Sequence, residues 1–171
     1  MKKFFKFSDT INGTTYFLRC LFSAVLAIPF TIIIISFIGI SVVEYAEIDL
    51  NNPESFDQKV FEEKIQSNPE EFIEAIKETF TPFWVISIII SLIPVFWFSI
   101  ASYYKRVTAL FQESKDKIFT GLIAFEILAD YYVYEYGWGS ESVIGSIFLG
   151  GTLLIFLYMV FQNSVIEEHE G

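Results

Sequence analysis

Residues 21–43 read LFSAVLAIPFTIIIISFIGISVV, 23 positions in succession without a formal charge. Wound as one helix they reach about 34 Å, more than the roughly 30 Å hydrocarbon core of a bilayer. Moving outward, 82–104 repeats the feature and 143–161 comes close to it. The fold class that follows is all-α: a polytopic membrane protein forming a single membrane domain over 1–171. Four transmembrane helices are expected, at about 21–43, 82–104, 118–136 and 143–161. A two-helix extracytoplasmic cap is expected within 44–81.

The bulk composition agrees. The 171 residues are 53% hydrophobic and include 20 Phe, and lipid can solvate apolar surface that water would not. A net charge of -10 argues against a nucleic-acid partner, which calls for a basic face. Cys20 is the one cysteine, so no intramolecular disulfide is possible, and His169 is the one histidine. That inventory offers no transition-metal ligand set and no serine–histidine nucleophile pair. Nor does a glycine-rich phosphate loop occur. No catalytic, cofactor or metal site is expected, and the chain reads as a non-enzyme. The basic opening MKKFFKF is separated from the first apolar run by the polar stretch 8–15, and that run is too long for an ordinary signal h-region. It is expected to be retained.

The third span is the least certain to cross, because it carries Glu126 and Asp130. A mid-helix carboxylate is disfavoured by about 2.5–3.5 kcal/mol, while each Leu or Ile returns about 0.5. Insertion is therefore near balance, and a re-entrant or interfacial helix is the alternative. Pro29 and Pro94 are positioned to kink spans one and two. Orientation follows from the cations: 8 of the 11 Lys and Arg residues flank span one on its N-terminal side or follow span two. By the positive-inside rule both termini and the 105–117 loop are cytoplasmic, in a cell membrane. The 44–81 loop holds three lysines against eleven carboxylates, a net charge of −8, and is expected outside. Within it, Asn52-Pro53 and Asn68-Pro69 look like helix starts, the second with Glu71 as a capping box. Two amphipathic helices are expected at about 53–66 and 69–80. Trp84 and Trp138 are expected near the outer interface, Tyr103 and Tyr104 near the inner one.

Few residues carry chemistry. Glu126 and Asp130 are four apart and share a helix face, a candidate intramembrane proton or cation site. The plainer reading is that both are wetted at the interface. No basic partner for them is legible, since Arg19, Lys105 and Arg106 are assigned to the cytoplasmic side. Lys105, Arg106, Lys115 and Lys117 are candidate lipid-headgroup contacts; alternatively they only set topology. Ser146 and Gly150 form a small-xxx-small pair, a candidate helix-packing face. The expected partners are the lipid bilayer and a membrane protein or a second copy of this chain.

The layout resembles the small bacterial inner-membrane proteins of unknown function, family 805 (DUF805). Residues 11–17, Ile-Asn-Gly-Thr-Thr-Tyr-Phe, stand where that family has a Phe-x-Gly-Arg-like motif, keeping the glycine and aromatics without the arginine. Residues 105–110, Lys-Arg-Val-Thr-Ala-Leu, stand where it has Arg-Arg-Leu-His-Asp, keeping two basic residues without the His and Asp. The resemblance implies an inner-membrane location and four spans. It implies no biochemical activity, so the function expected is a packing, assembly or envelope-associated role. The alternative is a small transporter or channel subunit working through Glu126 and Asp130.

Overall fold

The computed structural model describes residues 6–49, 56–136, 143–166 and 169, with only the backbone of 133–136. Every regular element among them is helical: α1 Gly13–Leu26, α2 Ile28–Tyr45, α3 Gln58–Ser67, α4 Pro69–Thr79, α5 Pro82–Phe111, α6 Lys115–Tyr136 and α7 Val143–Phe161, with a single 3₁₀ turn at Gln112–Ser114. Three helical stretches, Gly13–Tyr45, Pro82–Tyr132 and Val143–Phe161, are long and apolar enough to cross a membrane. The chain is thus an all-helical, multi-pass membrane protein. Ile35, Ile90 and Leu154 on these stretches are outward-facing, as expected where lipid is the solvent.

The first span begins earlier than its apolar run. Asn12 Oδ1 accepts from the Thr15 N–H at 2.8 Å, satisfying one of the donors that a helix start leaves unpaired. Helix therefore begins at Gly13 and takes in Tyr16 and Arg19. It is interrupted at Ala27 and restarts with Pro29 in the first turn of α2, where a missing N–H costs nothing. Pro94, by contrast, lies inside the unbroken α5. That helix continues past residue 104 to Phe111, so Lys105 and Arg106 are helical rather than in a loop.

Two compact units make up the chain, 25–95 and the combination of 1–24 with 96–171. In the first, α3 and α4 pack on the end of α2. The Tyr45 ring meets Phe61 and Phe72 at 6.2 and 5.1 Å between centroids. Lys64 donates to the Tyr45 carbonyl at 3.1 Å, and Thr79 donates to Glu44 at 2.8 Å. Phe37 packs on Phe80 and Trp84, each at 5.4 Å. The helix expected at 53–66 starts instead at Gln58, where Asp57 accepts from the N–H groups of Lys59 and Val60. The Asn52-Pro53 start lies outside the described residues, as does Trp138. Asn68 does precede α4, but its side chain donates to Glu71 and caps no backbone N–H.

In the second unit α6 and α7 run antiparallel. Tyr132 stacks on Phe148 at 4.8 Å, Glu126 meets Thr152, and Ile118, Phe119 and Leu122 of α6, with Ile155, Phe156 and Val160 of α7, pack against the core that includes Met159. Gly151 makes the close approach: a Cβ there would come within 2.6 Å of Phe125 Cζ. Of the expected pair, Ser146 and Gly150, the glycine does not. Ser146 is exposed, and a Cβ on Gly150 would meet open space. The unit's core is Ile11, Tyr16, Val107, Leu110 and Met159.

Candidate functional site

Two groupings of polar side chains stand out in the unit formed by 1–24 and 96–171. One sits at the end where α5 and α7 finish and α1 begins. Arg106 is completely enclosed, at 0% exposure. Its Nε donates to the Met159 carbonyl at 2.6 Å, Nη1 to the Ile11 carbonyl at 3.2 Å and to Ser164 Oγ at 2.7 Å, and Nη2 to the Gln162 carbonyl. Met159 belongs to the last turn of α7, whose carbonyls have no helical partner, and a cation there also complements the helix dipole. Beside it Lys105, likewise at 0%, pairs with Asp9 at 3.3 Å. The Val165 N–H donates to the Ala109 carbonyl at 3.1 Å, so segments 9–11, 105–109 and 159–165 are tied together.

The expectation that Lys105 and Arg106 touch lipid headgroups is therefore corrected. Both are spent on protein oxygens, because the helix continues past Tyr104 and turns them inward. Lys115 and Lys117 remain at least partly exposed, and Lys115 Nζ lies 5.9 Å from the Tyr104 ring.

The second grouping is a recess of about 250 Å³ lined by α1, α5 and α6. Tyr16, Arg19, Cys20 and Ser23 face it from α1; Phe96, Ser99, Ile100, Ser102 and Tyr103 from α5; Ile123 and Glu126 from α6. On α1 and α5 these positions recur at three- and four-residue steps, the spacing of one helix face. The exposed wall surface is mostly apolar, and Phe96 among the lining residues is exposed.

Within this setting the charged groups are few. Arg19 is buried, at 5% exposure, with its guanidinium 5.8 Å from the Phe98 ring centroid. Glu126 is half-buried and accepts from Thr152 Oγ at 3.2 Å. The hydroxyls of Ser102, at 3% exposure, and of Tyr103 are enclosed and have no hydrogen-bond partner. Unspent buried hydroxyls are uncommon and are costly unless something occupies the space beside them.

From the sequence no cation is legible near Glu126. The structure corrects this: Arg19 and Glu126 line the same recess, because α1 starts at Gly13 and carries Arg19 into its second turn. Asp130 is not part of it; it is exposed and absent from the lining, so the two carboxylates do not converge there. The overlooked signal was the run of small and hydroxylated residues at helical spacing, Cys20 and Ser23 on one helix, Ser99, Ser102 and Tyr103 on the other. Among the described residues no three His, Cys, Asp or Glu side chains are grouped as a metal site would require. Comparison with protein-family models, with curated proteins and with solved structures finds no match to this chain.

Proposed function

We propose that this protein is a non-enzymatic membrane component that works by holding a membrane amphiphile in the α1–α5–α6 recess, in an assembly or envelope-associated role. One observation carries the reading. A buried guanidinium, a carboxylate and two unspent hydroxyls share a small recess whose exposed wall surface is mostly apolar, the make-up of a site that orients a ligand by few polar contacts.

Four spans are part of this proposal, with α6 as the third. At 22 residues it reaches about 33 Å. Its antiparallel pairing with α7, and the tie of the α7 end to Arg106 and Ile11, support a crossing that brings the C-terminal segment back to the side of 9–11. On the distribution of Lys and Arg that side is cytoplasmic, and α3 with α4 forms a cap on the other. The likeness to family 805 adds a bacterial inner-membrane setting to the proposal.

The test is photo-crosslinking with a clickable, diazirine-bearing lipid incorporated in cells, followed by peptide mapping. Adducts concentrated on 16–23, 96–103 and 123–126 are expected. Adducts spread evenly over the lipid-facing sides of α2 and α7 would overturn the reading. A transporter subunit is the second reading, favoured by Glu126 facing the recess. It requires that Glu126→Gln alter flux in proteoliposomes, and Asp130 has no place in it.

A further inference from the structure

What the recess accepts is set by the polar groups that its own neighbours leave unspent. On α1, Arg19 is answered within the chain: Asp9 interacts with it and also pairs with Lys105 at 3.3 Å. The Tyr16 hydroxyl and the Cys20 thiol, one turn apart, interact with each other, and Ser23 donates to the Cys20 carbonyl at 2.7 Å. On α5, by contrast, Ser102 Oγ and Tyr103 Oη are enclosed and have no hydrogen-bond partner. Ser102 is the more telling of the two, at 3% exposure. A hydroxyl walled off from solvent on the lining of a cavity has only an occupant of that cavity to bond. Glu126 completes the set from α6. It takes the Thr152 hydroxyl at 3.2 Å, and a carboxylate accepts more than one such bond.

These groups define a head by its hydrogen bonds. Two hydroxyls match the two lone pairs of one carbonyl oxygen, and Glu126 matches an O–H. Charge defines it as well. Arg19 and Lys105 stand against Asp9 and Glu126, two cations against two carboxylates. A charged head would leave an unmatched charge in mostly apolar surroundings, which is costly. The position along α5 suits a head rather than a chain, since Ser102 and Tyr103 are among the last residues of the uncharged run 82–104. At about 250 Å³ the recess is smaller than a pocket that encloses a whole drug-sized ligand. It takes a head and the first part of a chain. Phe96 and Ser99, both in the lining, are exposed, so the chain has a way out into lipid along α5.

We infer that the recess holds the head of an uncharged acylglycerol, its ester carbonyl taken by Ser102 and Tyr103 and its free hydroxyl by Glu126. The inference rests on the amphiphile-holding function proposed above and names the chemical class of its ligand.

The experiment uses the full-length protein, delipidated in detergent and photo-crosslinked with a diazirine-bearing monoacylglycerol. Adducts on 96–103 and 123–126 are quantified by peptide mapping while unlabelled competitors are added. Monooleoylglycerol is the matched competitor. Oleoyl lysophosphatidic acid adds a negative charge to the same glycerol ester, oleylamine supplies a cation, and methyl oleate keeps the carbonyl without a donor. Water-soluble glyceryl monoacetate carries the head without a chain. Monooleoylglycerol is expected to compete at concentrations about tenfold lower than the other three amphiphiles, and the monoacetate not at all over the same range.

Ser102→Ala and Tyr103→Phe should each weaken competition by monooleoylglycerol about three- to tenfold. Both should leave the thermal midpoint of the delipidated protein unchanged or raised, because each removes a buried hydroxyl that has no partner until a ligand arrives. A purely structural role for the hydroxyls would lower it. Ser99→Trp, which fills the recess without altering these groups, should abolish the adducts in a protein that stays monodisperse, and Lys117→Gln, on the exposed surface, should change nothing. Equal competition by all four amphiphiles, with adducts still lost in Ser99→Trp, would overturn the acylglycerol head and leave the amphiphile-holding function standing. Stronger competition by lysophosphatidic acid or oleylamine would likewise overturn the uncharged head. Absence of adducts on the recess would overturn both readings, and equally strong competition by the monoacetate would reassign the site to a water-soluble ligand.

Discussion

Arg106 shows how a single residue can hold three chain segments. Four hydrogen bonds run from its guanidinium to oxygens on Ile11, Met159, Gln162 and Ser164, and hydrogen bonds to a charged group contribute about 1.5–3 kcal/mol each. Arg106→Ala leaves the carbonyls buried and unpaired; a loss of about 3 kcal/mol or more is expected, read from denaturant titration in micelles. Arg106→Lys should recover little, since an ammonium cannot reproduce the planar fork. A loss under 1 kcal/mol for the alanine variant would show that the cluster is wetted. Gly13 is the neighbouring constraint. Gly13→Ala forces a methyl against the Val160 backbone, and a loss of about 1–3 kcal/mol is expected by the same measurement. The basic character of 105–106 was legible from the residues; the burial was not, because a cation after an apolar run reads identically whether it turns to lipid or to a helix end.

Among the elements, α7 has the bounds expected for it, Val143–Phe161, because an uncharged run bounded by polar residues sets its own length in a bilayer. Which of its faces meets α6 was not legible. It is apolar all round, and with lipid as solvent there is no alternation of polar and apolar residues to mark an inner side. Only packing distinguishes Gly151, against Phe125, from Gly150, which faces open space. Gly151→Ala should therefore destabilise by about 1–3 kcal/mol while Gly150→Ala stays within about 0.5; equal effects would contradict the assigned rotation of α7. The end of α2 gives a prediction of opposite sign. Glu47 adopts a left-handed backbone with φ 51°, and the Ile48 N–H donates back to the Val43 carbonyl at 3.1 Å, the arrangement that usually has glycine at this position. Glu47→Gly should stabilise the α2 end by about 1 kcal/mol, seen as slower amide exchange over 44–48. Faster exchange would show that the glutamate side chain contributes more than the strain costs.

At the scale of the whole molecule the decisive question is which segments share a side of the membrane. On a Cys20→Ser background, Lys117→Cys and Ser164→Cys should be protected from an impermeant maleimide in intact cells, and Glu62→Cys labelled. Labelling of Ser164→Cys from outside would mean that α6 does not cross. What is readable without coordinates is three long apolar helical runs and a helical acidic segment between the first two. The cost of placing charge in hydrocarbon acts on composition alone, so it was enough to predict an all-helical membrane chain and the extent of α7. Rotation and register are different quantities. They depend on which side chains of one helix fit against another, and apolar helices in lipid have no sequence pattern that encodes this. Only the tertiary structure could bring Arg19 and Glu126 to one recess, leave Asp130 outside it, and turn Lys105 and Arg106 inward onto the ends of the chain.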